Sequence, residues 1–148
     1  MTSLSGTKPR VGVVGLGAMG MGTATALLEC GFEVTGCDVS EKARAGFEHA
    51  GGRTVSALAE LAAKSDVVLL VVVNAAQVEQ VLFGESGLLA GLKPGSLVIQ
   101  CATVAPAIAR DLAERLGQAG IEMLDAPISG GAAKARAGQL SVMASGST

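Results

Sequence analysis

The sequence has no tryptophan and no tyrosine, and it carries three phenylalanines and one histidine. Without Trp or Tyr the stacking platforms that hold single-stranded nucleic acid are hard to build. Eleven Lys and Arg against thirteen Asp and Glu leave a net charge of −2, so there is no basic footprint for a nucleic-acid backbone either. Cysteine is scarce as well: Cys30, Cys37 and Cys101, none in a C-x-x-C pair. With His49 as the sole imidazole they cannot complete a zinc set, and no metal site is expected. We read them as reduced thiols of a cytoplasmic protein, since a disulfide framework is not needed where a real core can form. Long apolar runs are missing too. "VVLLVVV" (67–73) is too short to span a bilayer. Lys8 and Arg10 precede an uncharged stretch that superficially resembles a signal peptide, but Gly12, Gly15, Gly17, Gly20 and Gly22 interrupt it and no cleavage pattern closes it. No membrane segment is expected.

What is abundant is glycine, 21 residues, and apolar side chains, 49 % of a chain of 148. Only 16 % of residues are charged, and the mean hydropathy is +0.51. Such a balance fits a sheet covered on both faces, whose strands read as continuous apolar runs. Short runs of that kind alternate with helix-period segments. "VGVVG" predicts a strand and Ala18–Cys30 a helix with Met21, Ala24, Leu27 and Leu28 on one face. "EVTGCD" is a second strand, and Ser40 is placed to cap a helix over Glu41–Ala50. "RTV" is a short strand, and Ser56 is expected to cap a brief helix carrying Leu58 and Leu61. "DVVLLVVV" is the clearest strand. Val78, Val81 and Leu82 then mark a helix. After the turn "GLKPG" come the strand "SLVIQCA" and a helix opened by Pro106, with Ile108, Leu112 and Leu116 as its stripe. "IEMLDAP" and "QLSVMAS" are the last strands.

Strands alternating with helices predict an α/β fold of parallel β-α-β units. With right-handed crossovers this is a doubly wound, mostly parallel sheet of the Rossmann type. No linker divides the chain, so residues 1–148 read as one dinucleotide-binding domain with a short flexible tail at 1–8. Ligands of such sheets sit outside the carboxyl ends of the strands, where strand order reverses. That directs attention to residues 15–20, 38–40, 73–77, 101–106 and 127–131.

The first of these stretches is Gly15-x-Gly17-x-x-Gly20. Gly15 permits a tight turn, Gly17 lets a pyrophosphate approach the backbone, and Gly20 lets helix pack on strand. The cofactor-binding candidates here are Gly15, Leu16, Gly17, Ala18, Met19 and Gly20, with the pyrophosphate on free N–H groups of the helix start. Asp38 closes the next strand eighteen positions after Gly20, near the spacing expected of a carboxylate that binds ribose hydroxyls. It would repel a 2′-phosphate, so NAD is expected over NADP. Arg44 reads as a solvated helix residue. In "ISGG", the Ser129 hydroxyl and the unobstructed N–H groups of Gly130 and Gly131 suit a small anion such as a carboxylate.

"VGVVGLGAMGMG" near the start and "LDAPISGGAAKARAGQLSVMASG" near the end together resemble the β-hydroxyacid dehydrogenase family. "VVVNAAQVEQVLFGESGL" further resembles the branch of that family that acts on L-threonate. The resemblance implies an NAD-dependent oxidoreductase that transfers hydride from a small hydroxy acid, such as L-threonate or 3-hydroxyisobutyrate. It implies that Ser129, Gly130 and Gly131 grip the substrate carboxylate, and that Thr103, Asn74 and Val73 line the nicotinamide side. Where many relatives have Ser before that Thr, this chain has Ala102, which cannot donate. The family's general base is a Lys on a following all-helical domain, so these residues are expected to form the cofactor-binding half with no catalytic base of their own. Lys134 reads as a surface cation. A homo-oligomer is expected. The rival readings are a stand-alone NAD(H) sensor, which would need no carboxylate grip, and an S-adenosylmethionine-dependent methyltransferase, which also places an acid at the second strand end.

Overall fold

Residues 7–146 are described here from a computed structural model of the chain. The elements are β1 (Val11–Val14), α1 (Ala18–Glu29), β2 (Val34–Cys37), α2 (Glu41–His49), β3 (Arg53–Val55), α3 (Leu58–Ala63), β4 (Val67–Leu70), α4 (Ala75–Phe83), β5 (Leu97–Gln100), α5 (Pro106–Gln118), β6 (Glu122–Asp125), β7 (Ile128–Ser129), α6 (Gly131–Arg136) and β8 (Ser141–Val142). The first six strands form one sheet in the order β3-β2-β1-β4-β5-β6. Every pairing in it is parallel. The chain winds outward from β1 to β3, then crosses back to β4, so strand order reverses between β1 and β4. This is the Rossmann arrangement expected from the alternating pattern.

Period-two alternation sends successive side chains to opposite faces. Val14, Val68, Leu70 and Val98 join Leu61, Leu82, Leu112 and Leu116 of α3, α4 and α5 in one core. Val11, Val13 and Val34 join Ala24 of α1 and Phe47 of α2 in the other. Met21, Leu27 and Leu28 pack on that second core as the helical stripe predicted. Ser40 caps α2, its hydroxyl accepting from Ala43 N at 3.1 Å.

Three local expectations are corrected. Ser56 does not cap α3: the extended residue before that helix is Ala57, one position later, and no side chain caps it. Ile108 is 40 % exposed, and Ala109 is buried in its place with Leu112 and Leu116. Ile108 stands about 100° around the helix from Ala109, at the rim of the stripe. The strand read from "QLSVMAS" does not extend the main sheet. As β8 it pairs antiparallel with β7, Ile128 opposite Val142 and Ser129 opposite Ser141. The chain then returns to the end of β6 through an Asp125–Ser145 bridge.

The helix α6 was not anticipated. It is six residues long and depends on tertiary contact. A Cβ on Gly22 of α1 would lie 2.9 Å from Arg136 N and 3.0 Å from the Ala135 Cβ, so glycine lets the two helices touch. Arg136 adds a bidentate ion pair to Glu29, at 2.7 and 2.9 Å. Of the tail expected at 1–8, residues 1–6 lie outside the described residues; Lys8 donates to the Cys30 carbonyl and sits over the Phe32 ring. No helix of the described residues is long and apolar enough to cross a membrane.

Candidate functional site

Because the six strands run parallel, the loops that follow them gather at one end of the molecule. There β1 turns sharply into α1. Gly15 has φ +97°, and a Cβ on it would lie 2.1 Å from the Val71 carbonyl oxygen. A Cβ on Gly20 would lie 1.8 Å from the Gly15 carbonyl oxygen. These two glycines are demanded by the fold. Gly17 differs: nothing lies within 4 Å of its missing Cβ. It is the N-cap of α1, no side chain caps the helix, and no acidic residue stands in its first turn. The start of α1, at Ala18 and Met19, therefore presents backbone N–H groups and the positive end of the helix dipole toward the open space over Gly17.

Asp38, just past β2, faces this turn. Its Oδ2 accepts from Leu16 N at 2.8 Å and its Oδ1 from Ser40 N at 2.8 Å. The Leu16 amide thus orients Asp38, and the Leu16 side chain is buried. A carboxylate offers about four acceptor positions, so each oxygen retains one. Arg44 is not the solvated residue expected. It is half-buried, and its guanidinium turns back to donate from Nη1 to the Asp38 carbonyl at 2.6 Å. Burial pushes the Cys37 thiol up, Arg44 opposes the shift, and Asp38 reinforces it.

Between the two halves of the sheet, a cavity of about 400 Å³ is lined by Gly15, Gly17, Asp38 and residues 71–73, with Val39, Gln77, Gln80 and Val81 completing it. Val39 and Gln77 fall within the stretches 38–40 and 73–77 that the fold directs attention to, but none of these four was named from the sequence as a cofactor-binding residue. Val39 carried a signal in hindsight: a large apolar residue directly after the strand-ending acid, wholly exposed. Val73 is 80 % exposed, because β4 ends at Leu70 and the remainder of "VVLLVVV" projects beyond the sheet. Asn74 caps α4, its Oδ1 accepting from Gln77 N at 2.9 Å, which leaves its amide N–H groups to address a ligand.

Thr103 lies exposed in the loop after β5. That loop is held from below by Gln100, fully buried at the end of the strand. Its amide accepts from Ala102 N and donates to Ala102 O at 2.8 Å and to Asp125 Oδ1 at 3.0 Å. Gln100 was missed because its side-chain partner, Asp125, is 25 positions away. Burial first, then the charge of Asp125, pushes the Cys101 thiol up to about 11, so it is no nucleophile.

Ser129 is exposed in β7, and Gly130 and Gly131 follow with φ +140° and +81°. Lys134 is exposed on α6, with its stem against Gly130. The packing of Ala132 and Ala135 on Gly22, and of Arg136 on Glu29, lays α6 alongside α1 and brings Gly130 and Gly131 toward the first turns of α1. Gly15, Gly17 and Gly20, Asp38, Asn74, Thr103 and Ser129 thus all follow the carboxyl ends of the parallel strands. His49 ends α2 on the opposite side, exposed. Among the described residues, no group of three or more His, Cys, Asp or Glu could hold a metal ion.

Residues 10–148 match the family described as the NAD binding domain of 6-phosphogluconate dehydrogenase. An L-threonate dehydrogenase of Cupriavidus necator is 51 % identical over 136 residues, covering 92 % of this chain and 46 % of that protein. An L-threonate dehydrogenase of Escherichia coli is 49 % identical over 144 residues, covering 97 % and 48 %. The crystal structure of a 3-hydroxyisobutyrate dehydrogenase from Salmonella typhimurium superposes with a TM-score of 0.89 at 43 % identity, over 95 % of this chain and 49 % of that one. The chain spans about half the length of the relatives it matches.

Proposed function

From the premise that this chain belongs to the family of the NAD binding domain of 6-phosphogluconate dehydrogenase, we propose that it is the cofactor-holding half of an NAD-dependent β-hydroxyacid dehydrogenase. Its substrate in this reading is a small hydroxy acid such as L-threonate or 3-hydroxyisobutyrate. The observation that carries it is the uncapped start of α1 at Gly17, open to solvent, beside an Asp38 carboxylate already aimed by the Leu16 amide at 2.8 Å. A dinucleotide needs both: donors for its pyrophosphate and an acceptor for its ribose.

A nicotinamide cofactor held here would supply the hydride acceptor for oxidation at the carbinol carbon of the substrate. The chain's part is to hold and orient. N–H groups at the start of α1 take the pyrophosphate, and Asp38 accepts from the ribose hydroxyls. Val73, Asn74 and Thr103 line the nicotinamide side. Ser129 Oγ and the N–H groups of Gly130 and Gly131 hold the substrate carboxylate. The reading extends to a cytoplasmic homo-oligomer, which the three free cysteines suit.

Asp38→Asn is expected to weaken NAD by about 1–3 kcal/mol, the scale of a hydrogen bond to a charged group. An amide also turns N–H toward one of the two backbone donors, Leu16 N or Ser40 N, that now hold the carboxylate. NADP should lose less or gain, since the repulsion is removed. Calorimetric titration of both dinucleotides checks this, and an unchanged preference would place the ribose elsewhere. Ser129→Ala is expected to weaken hydroxy-acid binding about tenfold while NAD affinity stays as it was. A matching loss of NAD would make the loop structural. A hydroxy acid that does not tighten NAD binding would favour a stand-alone sensor.

A further inference from the structure

Arg44 is placed differently from the other arginines that make side-chain contacts. Arg10, Arg115 and Arg136 each pair with a carboxylate. Arg44 has no carboxylate within ion-pair distance among the described residues, and it donates instead to a backbone carbonyl, that of Asp38. It stands in the first turns of α2, which Ser40 caps, so its Cα is fixed by a formed helix rather than a loose loop. One N–H of the guanidinium is committed to that carbonyl. A guanidinium has five, in a rigid fork suited to phosphate. The end of β2 therefore carries two opposite charges that do not pair with each other: the Asp38 carboxylate, oriented by Leu16 N and Ser40 N, and a guanidinium anchored on the same residue's main chain.

We infer that Arg44 is a specificity-determining residue, a latent ligand for the 2′-phosphate of a dinucleotide. This rests on the reading that the adenosine ribose sits at Asp38. A 2′-phosphate arriving there meets repulsion from the carboxylate and attraction from the guanidinium. The preference between NAD and NADP is the difference of the two, so Asp38 alone excludes NADP and removing its charge exposes a phosphate site already in place. A 2′-hydroxyl, being neutral, gains little from Arg44.

The test is a titration of the chain with NAD and NADP, in the unaltered protein, Asp38→Asn, Arg44→Ala and the double variant, at low and moderate salt. Arg44→Ala is expected to weaken NADP about fivefold or more and to leave NAD unchanged, the scale of one charge-assisted contact. Asp38→Asn should shift the NADP-to-NAD ratio toward NADP by about tenfold, and adding Arg44→Ala should take most of that gain back. The NADP gain should shrink as salt rises. Arg44→Lys should restore part of the NADP affinity, because it keeps the charge and loses the fork. Equal losses for NAD and NADP on Arg44→Ala would overturn the inference and leave Arg44 as a clamp on the loop. So would no change for either dinucleotide. If Asp38→Asn does not fold, the Arg44→Ala ratio decides alone. Failure of the unaltered chain to bind any dinucleotide would overturn the cofactor reading itself, and this inference with it; NAD binding with an indifferent Arg44 would overturn this inference only.

Discussion

Expressed by themselves, these 148 residues are expected to bind NAD and to produce no detectable NADH from L-threonate, L-serine or 3-hydroxyisobutyrate. Oxidising an alcohol requires that the hydroxyl proton leave as the hydride does. A positioned general base is worth about 10²–10⁴-fold. His49 is exposed at the end of α2, away from the β1–α1 turn at the carboxyl end of the strands. Lys134 is exposed on α6. The resemblance to β-hydroxyacid dehydrogenases implies a Lys base on a following helical domain, and the chain spans about half the length of the relatives it matches. Water adds to the shortfall. Val39 and Val73, at the mouth of the cavity, are 103 % and 80 % exposed, so among the described residues nothing closes it. The same exposed apolar side chains, with Val142 and Met143, favour self-association, which sedimentation of the isolated chain would detect. Steady NADH production, abolished by Lys134→Ala, would show that the base has been misplaced and that Lys134, whose stem lies against Gly130, supplies it.

The architecture was legible because a doubly wound sheet writes itself into local sequence. Both faces of β1 are buried, so that strand appears as an unbroken apolar run, and the helices between the strands show their own period. Gly15 and Gly20 were legible for a related reason: each meets a local backbone requirement where β1 turns into α1. What stayed hidden depends on contacts that form only once the elements are set against one another. Gln100 is an amide at the end of an apolar strand until Asp125 is brought beside it. Arg44 is an ordinary helix cation until the direction of α2 turns it back on Asp38. The helix α6 exists because Gly22 lets it settle on α1, and nothing in "GGAAKARAG" alone says so. Ile108 and Ala109 are neighbours on one helix, and periodicity cannot tell which of them the sheet will cover.

The three glycines of the phosphate loop are expected to fail in two different ways, and that contrast is the sharper test of the site. Gly15→Ala places a side chain at φ +97°, with its Cβ 2.1 Å from the Val71 carbonyl oxygen. The left-handed backbone costs about 1–2 kcal/mol. Crowding a packed position costs about 1–3 kcal/mol more. Gly20→Ala has ordinary helical geometry but meets the Gly15 carbonyl oxygen at 1.8 Å, and a backbone atom cannot swing away as a side chain can. Both variants should lose several degrees of thermal stability along with NAD binding, because β1 and α1 can no longer be joined this tightly. Gly17→Ala is the opposite case. Its missing Cβ faces open space and its φ is −67°, so the variant should melt with the unaltered chain. Yet a methyl group there stands where a pyrophosphate must approach the start of α1, and NAD affinity should fall about tenfold or more, the measure of a lost charge-assisted contact. Thermal melts paired with NAD titrations separate the cases. If Gly17→Ala binds NAD as tightly as the unaltered chain, the pyrophosphate does not rest on α1. The open space over Gly17 would then have no part in binding, whatever becomes of Asp38.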